Sequence, residues 1–226
     1  MKSILTYVLA WFAGLIIFLG LPLLGWGIDK IPQFFNSPAR LVYIIVFPLL
    51  QLFGILYNPQ AQQTNKEGRD GIEKHKLDLV LIQILSLSVV FLAPFSDGRL
   101  IGTLNVSETV RFMGFLFVIP GFILMQVAQK HLGRQFSISV TIQKDHELIR
   151  NGPYKFIRHP RYLGILVFFM GISIVFRSLL AIVLVAVLSF ILAWRVHAEE
   201  MLMQQEFGME WDVYCKKSWR IIPFIF

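Results

Sequence analysis

Residues 162–197 read YLGILVFFMGISIVFRSLLAIVLVAVLSFILAWRVH, and they contain two apolar runs separated only by Arg177 and Ser178. An apolar helix of about 20 residues is long enough to cross the hydrocarbon core of a bilayer, which is roughly 30 Å thick. The stretch therefore predicts two transmembrane helices, 162–176 and 179–197, joined as a tight helical hairpin. The first helix is short for a full span, so we expect it to tilt or to cross only part of the bilayer.

The rest of the chain repeats this pattern. Of the 226 residues, 56% are hydrophobic and only 15% are charged, whereas soluble domains average about 25% charged residues. The first run is too long for a signal-peptide core and lacks a small-residue cleavage site, so we interpret it as a retained span. The predicted fold is an all-α, polytopic integral membrane protein with about six transmembrane helices. The four runs before the hairpin predict helices at 4–27, 39–57, 77–95 and 106–129.

The positions of the Lys and Arg residues predict the topology. With six spans, the segments on the side of the two termini hold 16 of the 21 cations and the other side holds 5. Cytoplasmic loops carry an excess of Lys and Arg, so we expect the termini to be cytoplasmic. The membrane would be a bacterial or archaeal inner membrane, or the endoplasmic reticulum of a eukaryote. The net charge of +7 is then a topology signal, and we expect no nucleic-acid partner.

A polar, turn-rich segment precedes the hairpin, with the sequence QKDHELIRNGPYKFIRHPRYLG at 143–164. The Asn-Gly-Pro sequence at 151–153 predicts a turn. Pro160 disfavours helical geometry at His159 and fits the first turn of the next helix. We therefore expect free backbone N–H groups at a helix start, where a carboxylate or phosphate can bind, on Arg161, Tyr162 and Leu163. From the residues alone, a basic loop that touches anionic lipid headgroups is an equal alternative.

A second polar group lies at the end of the last predicted span. Arg195 and Glu199 are four residues apart and share a helix face, and Glu200 follows directly. Two adjacent carboxylates at the edge of a membrane are costly and are usually functional. The alternative is an ordinary surface ion pair, which contributes only a few tenths of a kcal/mol.

In combination, these motifs resemble the isoprenylcysteine carboxyl methyltransferase family and its prokaryotic relatives. The related phospholipid N-methyltransferases are similar in the same region. The resemblance covers roughly residues 130–226, whereas the first four spans match only in hydropathy. The motifs are GPYKFIRHPRYLG at 152–164, Arg195 with the pair Glu199-Glu200, FGMEWDVY at 207–214 and the closing RIIP at 220–223.

The resemblance implies a methyltransferase without a dinucleotide-binding domain, and no GxGxxG motif is present. It implies S-adenosyl-L-methionine as cofactor, S-adenosyl-L-homocysteine as product, and a lipophilic substrate that enters from the bilayer among membrane lipids. Residues 1–129 would form the membrane-embedded N-terminal part, with four spans, and 130–226 the catalytic region with cytoplasmic cofactor-binding segments. The implied catalytic residues are Arg195, Glu199 and Glu200. The implied cofactor contacts are Gln143, His146, Glu147, Leu148, Ile149, Tyr154, His159, Pro160, Arg161, Tyr162 and Glu199.

The match to the family departs at two positions, and the methyl acceptor stays open. Ile149 replaces the usual Val, and the spacing from Gln143 to His146 is shorter than in the eukaryotic enzymes. We favour carboxyl methylation of an isoprenylcysteine-like molecule. A phospholipid, amine or thiol acceptor is the alternative, and an amine or thiol would need Glu199 or Glu200 as a base.

Two further alternatives belong to other functional classes. Some membrane lipid reductases that use NADPH share the RHPxY element, and a non-catalytic lipid-binding membrane protein would keep the same fold. The five histidines and the single Cys215 lack the spacing of zinc ligands, so we expect no metal. The sequence leaves the oligomeric state open.

Overall fold

The helices follow the predicted spans. The computed structural model describes residues 4–58, 76–133 and 147–225. These residues form helices and two isolated β-bridges, without a strand among them. The main helices are α1 (Ile4–Leu15), α2 (Leu21–Trp26), α3 (Pro38–Tyr57), α4 (Lys76–Arg99), α5 (Glu108–Met113), α6 (Phe115–Leu132), α7 (Pro160–Val175), α8 (Leu179–Phe207) and α9 (Met209–Cys215).

Five helical stretches among the described residues are long and apolar enough to cross a membrane. A π-helical turn at Ile16–Gly20 joins α1 to α2, so these two form one stretch, and α5 and α6 together form another. The apolar α7 has 16 residues and is shorter than these five. The all-α, polytopic membrane fold is thus confirmed. The division of the chain at residue 129 stays a prediction. The five stretches are Leu5–Trp26, Pro38–Tyr57, Leu77–Arg99, Glu108–Leu132 and Leu179–Phe207.

The predicted hairpin is present between α7 and α8. Arg177 adopts a φ of 44°, a left-handed conformation that reverses the chain within a few residues. Ser178 caps α8, because its hydroxyl accepts a hydrogen bond from the backbone N–H of Ala181 at 3.1 Å. The turn is also held from outside, since Leu104 donates its N–H to the carbonyl of Arg177 at 2.8 Å.

Glycines bring α6 and α7 into backbone contact. A Cβ atom on Gly121 would lie 2.6 Å from the backbone nitrogen of Phe168 and 2.9 Å from the carbonyl oxygen of Gly164. One on Gly171 would lie 2.6 Å from the carbonyl oxygen of Gly114. Membrane helices use small residues in this way, because lipid supplies little hydrophobic force for association. The contact fixes α7, which carries His159 at its start.

A buried charge cluster lies at the hairpin-turn end of α7. We call Asp97 with its three arginine partners the Asp97 cluster. The Asp97 side chain is fully buried, and it accepts from Arg111 at 2.7 Å, Arg40 at 3.2 Å and Arg177 at 2.6 Å. These residues belong to α3, α4, α5 and the hairpin turn, so one carboxylate ties four parts of the chain together. The cluster unites three of the five cations that the topology prediction placed on one side.

Candidate active site

The turn before α7 depends on Gly152. Gly152 has a φ of 55°, which favours glycine, and a Cβ atom there would overlap the imidazole of His131 at the end of α6. Tyr154 follows in a turn of 3₁₀ helix, and its side chain is buried. Burial raises the pKa of the Tyr154 phenol, so it stays protonated. Its carbonyl accepts a hydrogen bond from the hydroxyl of Tyr214 at 2.6 Å.

His159 is the residue immediately before α7, and its backbone is not helical, as Pro160 predicts. The expectation of free N–H groups at this helix start is wrong for Tyr162 and Leu163. Tyr162 and Leu163 both donate their N–H to the carbonyl of His159, at 3.1 and 3.3 Å. The carbonyl of the residue before a helix accepts the first intrahelical hydrogen bonds, so these two N–H groups are satisfied within the first turn of α7.

Arg195, Tyr162 and Glu199 form one hydrogen-bonded group between α7 and α8. Arg195 is 2% exposed. Its Nε donates to the hydroxyl of Tyr162 at 2.8 Å and to Glu199 Oε1 at 3.0 Å. The hydroxyl of Tyr162 donates in turn to Glu199 Oε1 at 2.5 Å. The predicted i, i+4 pair is therefore present, and its arginine is buried rather than on the surface.

His159 lies between the two adjacent carboxylates. Its Nδ1 is 3.5 Å from Glu199 Oε2, and its Nε2 is 3.6 Å from Glu200 Oε1. Burial alone lowers the pKa of His159, but the two nearby carboxylates of Glu199 and Glu200 outweigh burial and raise the pKa above its ordinary value. The ring stacks against Tyr162 with centroids 5.7 Å apart. Predicted residues from two distant segments thus form one site.

Two arginines that the sequence prediction left out of the site hold Glu200. Arg158 Nε donates to Glu200 Oε1 at 2.7 Å, and Arg220 Nε donates to Glu200 Oε2 at 2.7 Å. We call these three residues the Glu200 cluster. Arg158 belongs to the RHPxY element and Arg220 to the closing RxxP. These two motifs were the signal by which the sequence could have indicated both arginines. The motifs do not reveal that the two arginines bind the same carboxylate.

The other predicted residues lie around this group or outside the described part of the chain. Pro160 is buried and Arg161 is half-buried in the first turn of α7. Glu147 is exposed, while Leu148 and Ile149 are half-buried, and none of the contacts above involves them. Gln143 and His146 lie outside the described residues, so their part in the site stays a prediction.

Comparison with known proteins shows which proteins this chain resembles. Residues 113–205 match the model of the isoprenylcysteine carboxyl methyltransferase family, a range that includes α7, most of α8 and the site between them. A relative from Oryza sativa subsp. indica, a probable protein-S-isoprenylcysteine O-methyltransferase, is 28% identical over 161 residues. That match spans 70% of this chain and 84% of the relative.

Two further comparisons extend over nearly the whole chain. The protein-S-isoprenylcysteine O-methyltransferase of Saccharomyces cerevisiae is 27% identical over 213 residues, which cover 90% of this chain and 87% of the relative. A solved structure of a eukaryotic intramembrane Ras methyltransferase, an isoprenylcysteine carboxyl methyltransferase, superposes with a TM-score of 0.50 and 17% identity. It covers 100% of this chain and 88% of that one, which shows a shared fold. On these matches, the chain is similar in sequence to isoprenylcysteine carboxyl methyltransferases and shares the fold of the solved one.

Proposed function

We propose that this protein is an integral membrane methyltransferase that uses S-adenosyl-L-methionine to methylate the carboxylate of a lipophilic, isoprenylcysteine-like molecule. The observation that carries the proposal is the buried Arg195, held by Tyr162 and Glu199 beside His159. Arginine presents a planar fork that matches a carboxylate, and here the fork is fixed between two apolar helices.

The chemistry of the site residues fits the cofactor. S-adenosyl-L-methionine supplies a methyl group bonded to a sulfonium, and it also carries an ammonium, a carboxylate and an adenine ring. Glu199 is 21% exposed at its side chain, so its carboxylate is accessible to a cationic group. The ring of Tyr162, which stacks on His159, offers aromatic surface to a ring or a sulfonium. We assign the cofactor to these residues, together with Tyr154, Pro160, Arg161 and the predicted segment from Gln143 to Ile149.

Arg195 would orient the acceptor. An oxygen of the substrate carboxylate attacks the methyl carbon as the carbon–sulfur bond breaks, so an ester and a neutral thioether form, and no proton is transferred. Catalysis then rests on alignment, and holding two reactants at attack geometry can supply about 7–11 kcal/mol. The rigid hydrogen bonds from Arg195 to Tyr162 and Glu199 suit that task.

The state of the two carboxylates supports a carboxylate acceptor over an amine or thiol. An amine or thiol must lose a proton, which requires a base in the site. Glu200 already accepts from two guanidinium groups, and Glu199 accepts from Arg195 and Tyr162. Their hydrogen-bonding capacity is largely committed, and the raised pKa of His159 favours its protonated form. A carboxylate substrate needs none of them as a base.

The membrane location of the site fits a lipophilic substrate. Arg195 lies on α8, a helix long and apolar enough to span the bilayer, so a substrate held by its hydrocarbon chain reaches the arginine laterally. The excess of Lys and Arg on the side of the Glu200 cluster supports a cytoplasmic site and cytoplasmic termini.

The test is methyl transfer by the purified protein with an isotopically labelled methyl donor. Three acceptors are offered in separate reactions: an N-acetyl-S-prenylcysteine, a lysophosphatidylethanolamine and a long-chain alkyl thiol. Mass spectrometry should find label in the prenylcysteine ester alone. Label in the other acceptors instead would assign the alternative methyltransferase reaction. Parallel titrations with S-adenosyl-L-homocysteine and NADPH separate the remaining alternatives: binding of NADPH alone indicates a reductase, and binding of neither refutes a methyltransferase.

A further inference from the structure

The Glu200 cluster joins the end of the chain to the site. Arg158 and Arg220 each occupy one oxygen of Glu200 at 2.7 Å, and the Glu200 side chain is 9% exposed. Hydrogen bonds between charged partners are roughly twice as strong as neutral ones, and partial burial reduces their screening by water. Arg158 is 42 residues before Glu200 and Arg220 is 20 residues after it, so three separate segments converge on one carboxylate.

Backbone hydrogen bonds reinforce this convergence. Trp219 donates its N–H to the carbonyl of Phe156 at 2.9 Å, and Arg158 donates to the carbonyl of Trp219 at 2.8 Å. His159 donates its N–H to the carbonyl of Arg220 at 3.0 Å. A short parallel pairing thus places Arg220 beside His159 along the chain that leads into α7. The closing segment is part of the frame that sets the backbone of His159.

The contacts continue from the Glu200 cluster to the group around Arg195. Glu200 Oε1 is 3.6 Å from His159 Nε2, and His159 Nδ1 is 3.5 Å from Glu199 Oε2. Glu199 in turn accepts from Arg195 and Tyr162. A shift of Glu200 would therefore reach His159 directly, and Glu199 through it.

We infer that Arg220 is a positioning residue of the active site, although it touches neither Arg195 nor Tyr162 in the contacts above. With Arg158 it fixes Glu200, and Glu200 together with the backbone pairing sets His159 between the two carboxylates. The adjacent glutamates then divide their work: Glu199 faces the ligands, and Glu200 anchors the C-terminal segment. This inference rests on the proposed function, because the ligand that His159 and Glu199 serve is the methyl donor.

The test measures binding of S-adenosyl-L-homocysteine by calorimetry, with the full-length protein in detergent micelles. The variants are R220Q, R220K, E200Q and the double variant R220Q/E200Q. The matched control is R150Q, because Arg150 pairs with Glu210 at 2.8 Å on the surface, where both side chains are about half exposed. Thermal unfolding of each unliganded variant is recorded alongside.

We expect R220Q to weaken binding about tenfold or more, R220K to restore most of the affinity, and R150Q to leave it unchanged. In the E200Q background, R220Q should cause no further loss, because its effect passes through Glu200. A purely structural role predicts instead that loss of affinity follows loss of thermal stability, equally in both backgrounds. R158Q removes the other cation that holds Glu200, together with the hydrogen bonds from Arg158 to the carbonyls of Cys215 and Ser218, and it carries the test if R220Q does not fold.

The outcomes separate the inference from the function. Failure of the wild-type protein to bind S-adenosyl-L-homocysteine would refute the proposed function. Wild-type binding together with unchanged affinity in R220Q and R158Q would overturn the inference alone. Additive losses from R220Q and E200Q would also overturn it.

Discussion

Substitution of Arg195 by lysine should reduce methyl transfer about 100-fold. The variant R195K keeps the charge but removes the Nε that donates to both Tyr162 at 2.8 Å and Glu199 at 3.0 Å. A hydrogen bond to a charged group contributes about 1.5–3 kcal/mol, so if lysine replaces one of the two bonds, loss of the other costs up to about 2.8 kcal/mol. At about 1.4 kcal/mol per tenfold, that is a factor of about 100 in kcat/KM. A lysine ammonium, as a compact point charge, does not restore the planar fork.

The assay follows labelled methyl groups into an N-acetyl-S-prenylcysteine and gives kcat/KM for wild type and variant. R150K is the control, because it makes the same exchange at an exposed pair with Glu210 and should change kcat/KM by less than about twofold. Thermal unfolding confirms that R195K is folded. Retention by folded R195K of more than about a third of the wild-type kcat/KM would refute the role of the guanidinium, since the loss would be under about 1 kcal/mol.

Three further predictions concern stability. D97N should lower the free energy of unfolding by about 3 kcal/mol or more, because it leaves buried arginines without their carboxylate; an unchanged melting temperature would contradict this. G121A should cost about 1–3 kcal/mol by separating α6 from α7, whereas G20A, whose Cβ meets only a side chain at 3.9 Å, should melt like wild type. Because the pKa of His159 is raised in the folded state, protonated His159 stabilises the fold. This contribution to the free energy of unfolding is complete below about pH 6.5 and is lost as pH rises through the folded-state pKa. The melting temperature should therefore fall with pH above about 6.5 more steeply in wild type than in H159Q, and parallel curves would exclude this.

The sequence predicted those features of the fold and of the candidate site that depend on local rules. Run length and apolar composition located most helix ends within a few residues, although α8 continues to Phe207, ten residues beyond the predicted end at 197. The two-residue break at Arg177 and Ser178 predicted the hairpin. The i, i+4 spacing predicted that Arg195 and Glu199 share a face, and the structure places them 3.0 Å apart. The family motifs identified His159 as a site residue without revealing its neighbours.

The same local rules could not predict contacts between side chains that lie far apart in the sequence. Arg40 and Arg177 lie 57 and 80 residues from Asp97, and each cation by itself looks like a loop charge. Arg220 meets Glu200 only because the closing segment pairs with the backbone around His159. The incorrect expectation of free N–H groups has a local origin instead, because the carbonyl of His159 accepts the first hydrogen bonds of α7.

The length of α7 has a consequence for the depth in the membrane at which the proposed water-soluble methyl donor and the lipophilic acceptor meet. Its 16 residues rise about 24 Å, about 6 Å less than the hydrocarbon core. A hairpin turn at one membrane boundary would leave the start of α7 at Pro160 short of the other boundary. We expect the bilayer surface to dimple there, so that the donor descends below the headgroups. An acceptor on a hydrocarbon chain then reacts at its own depth, without being lifted out of its leaflet.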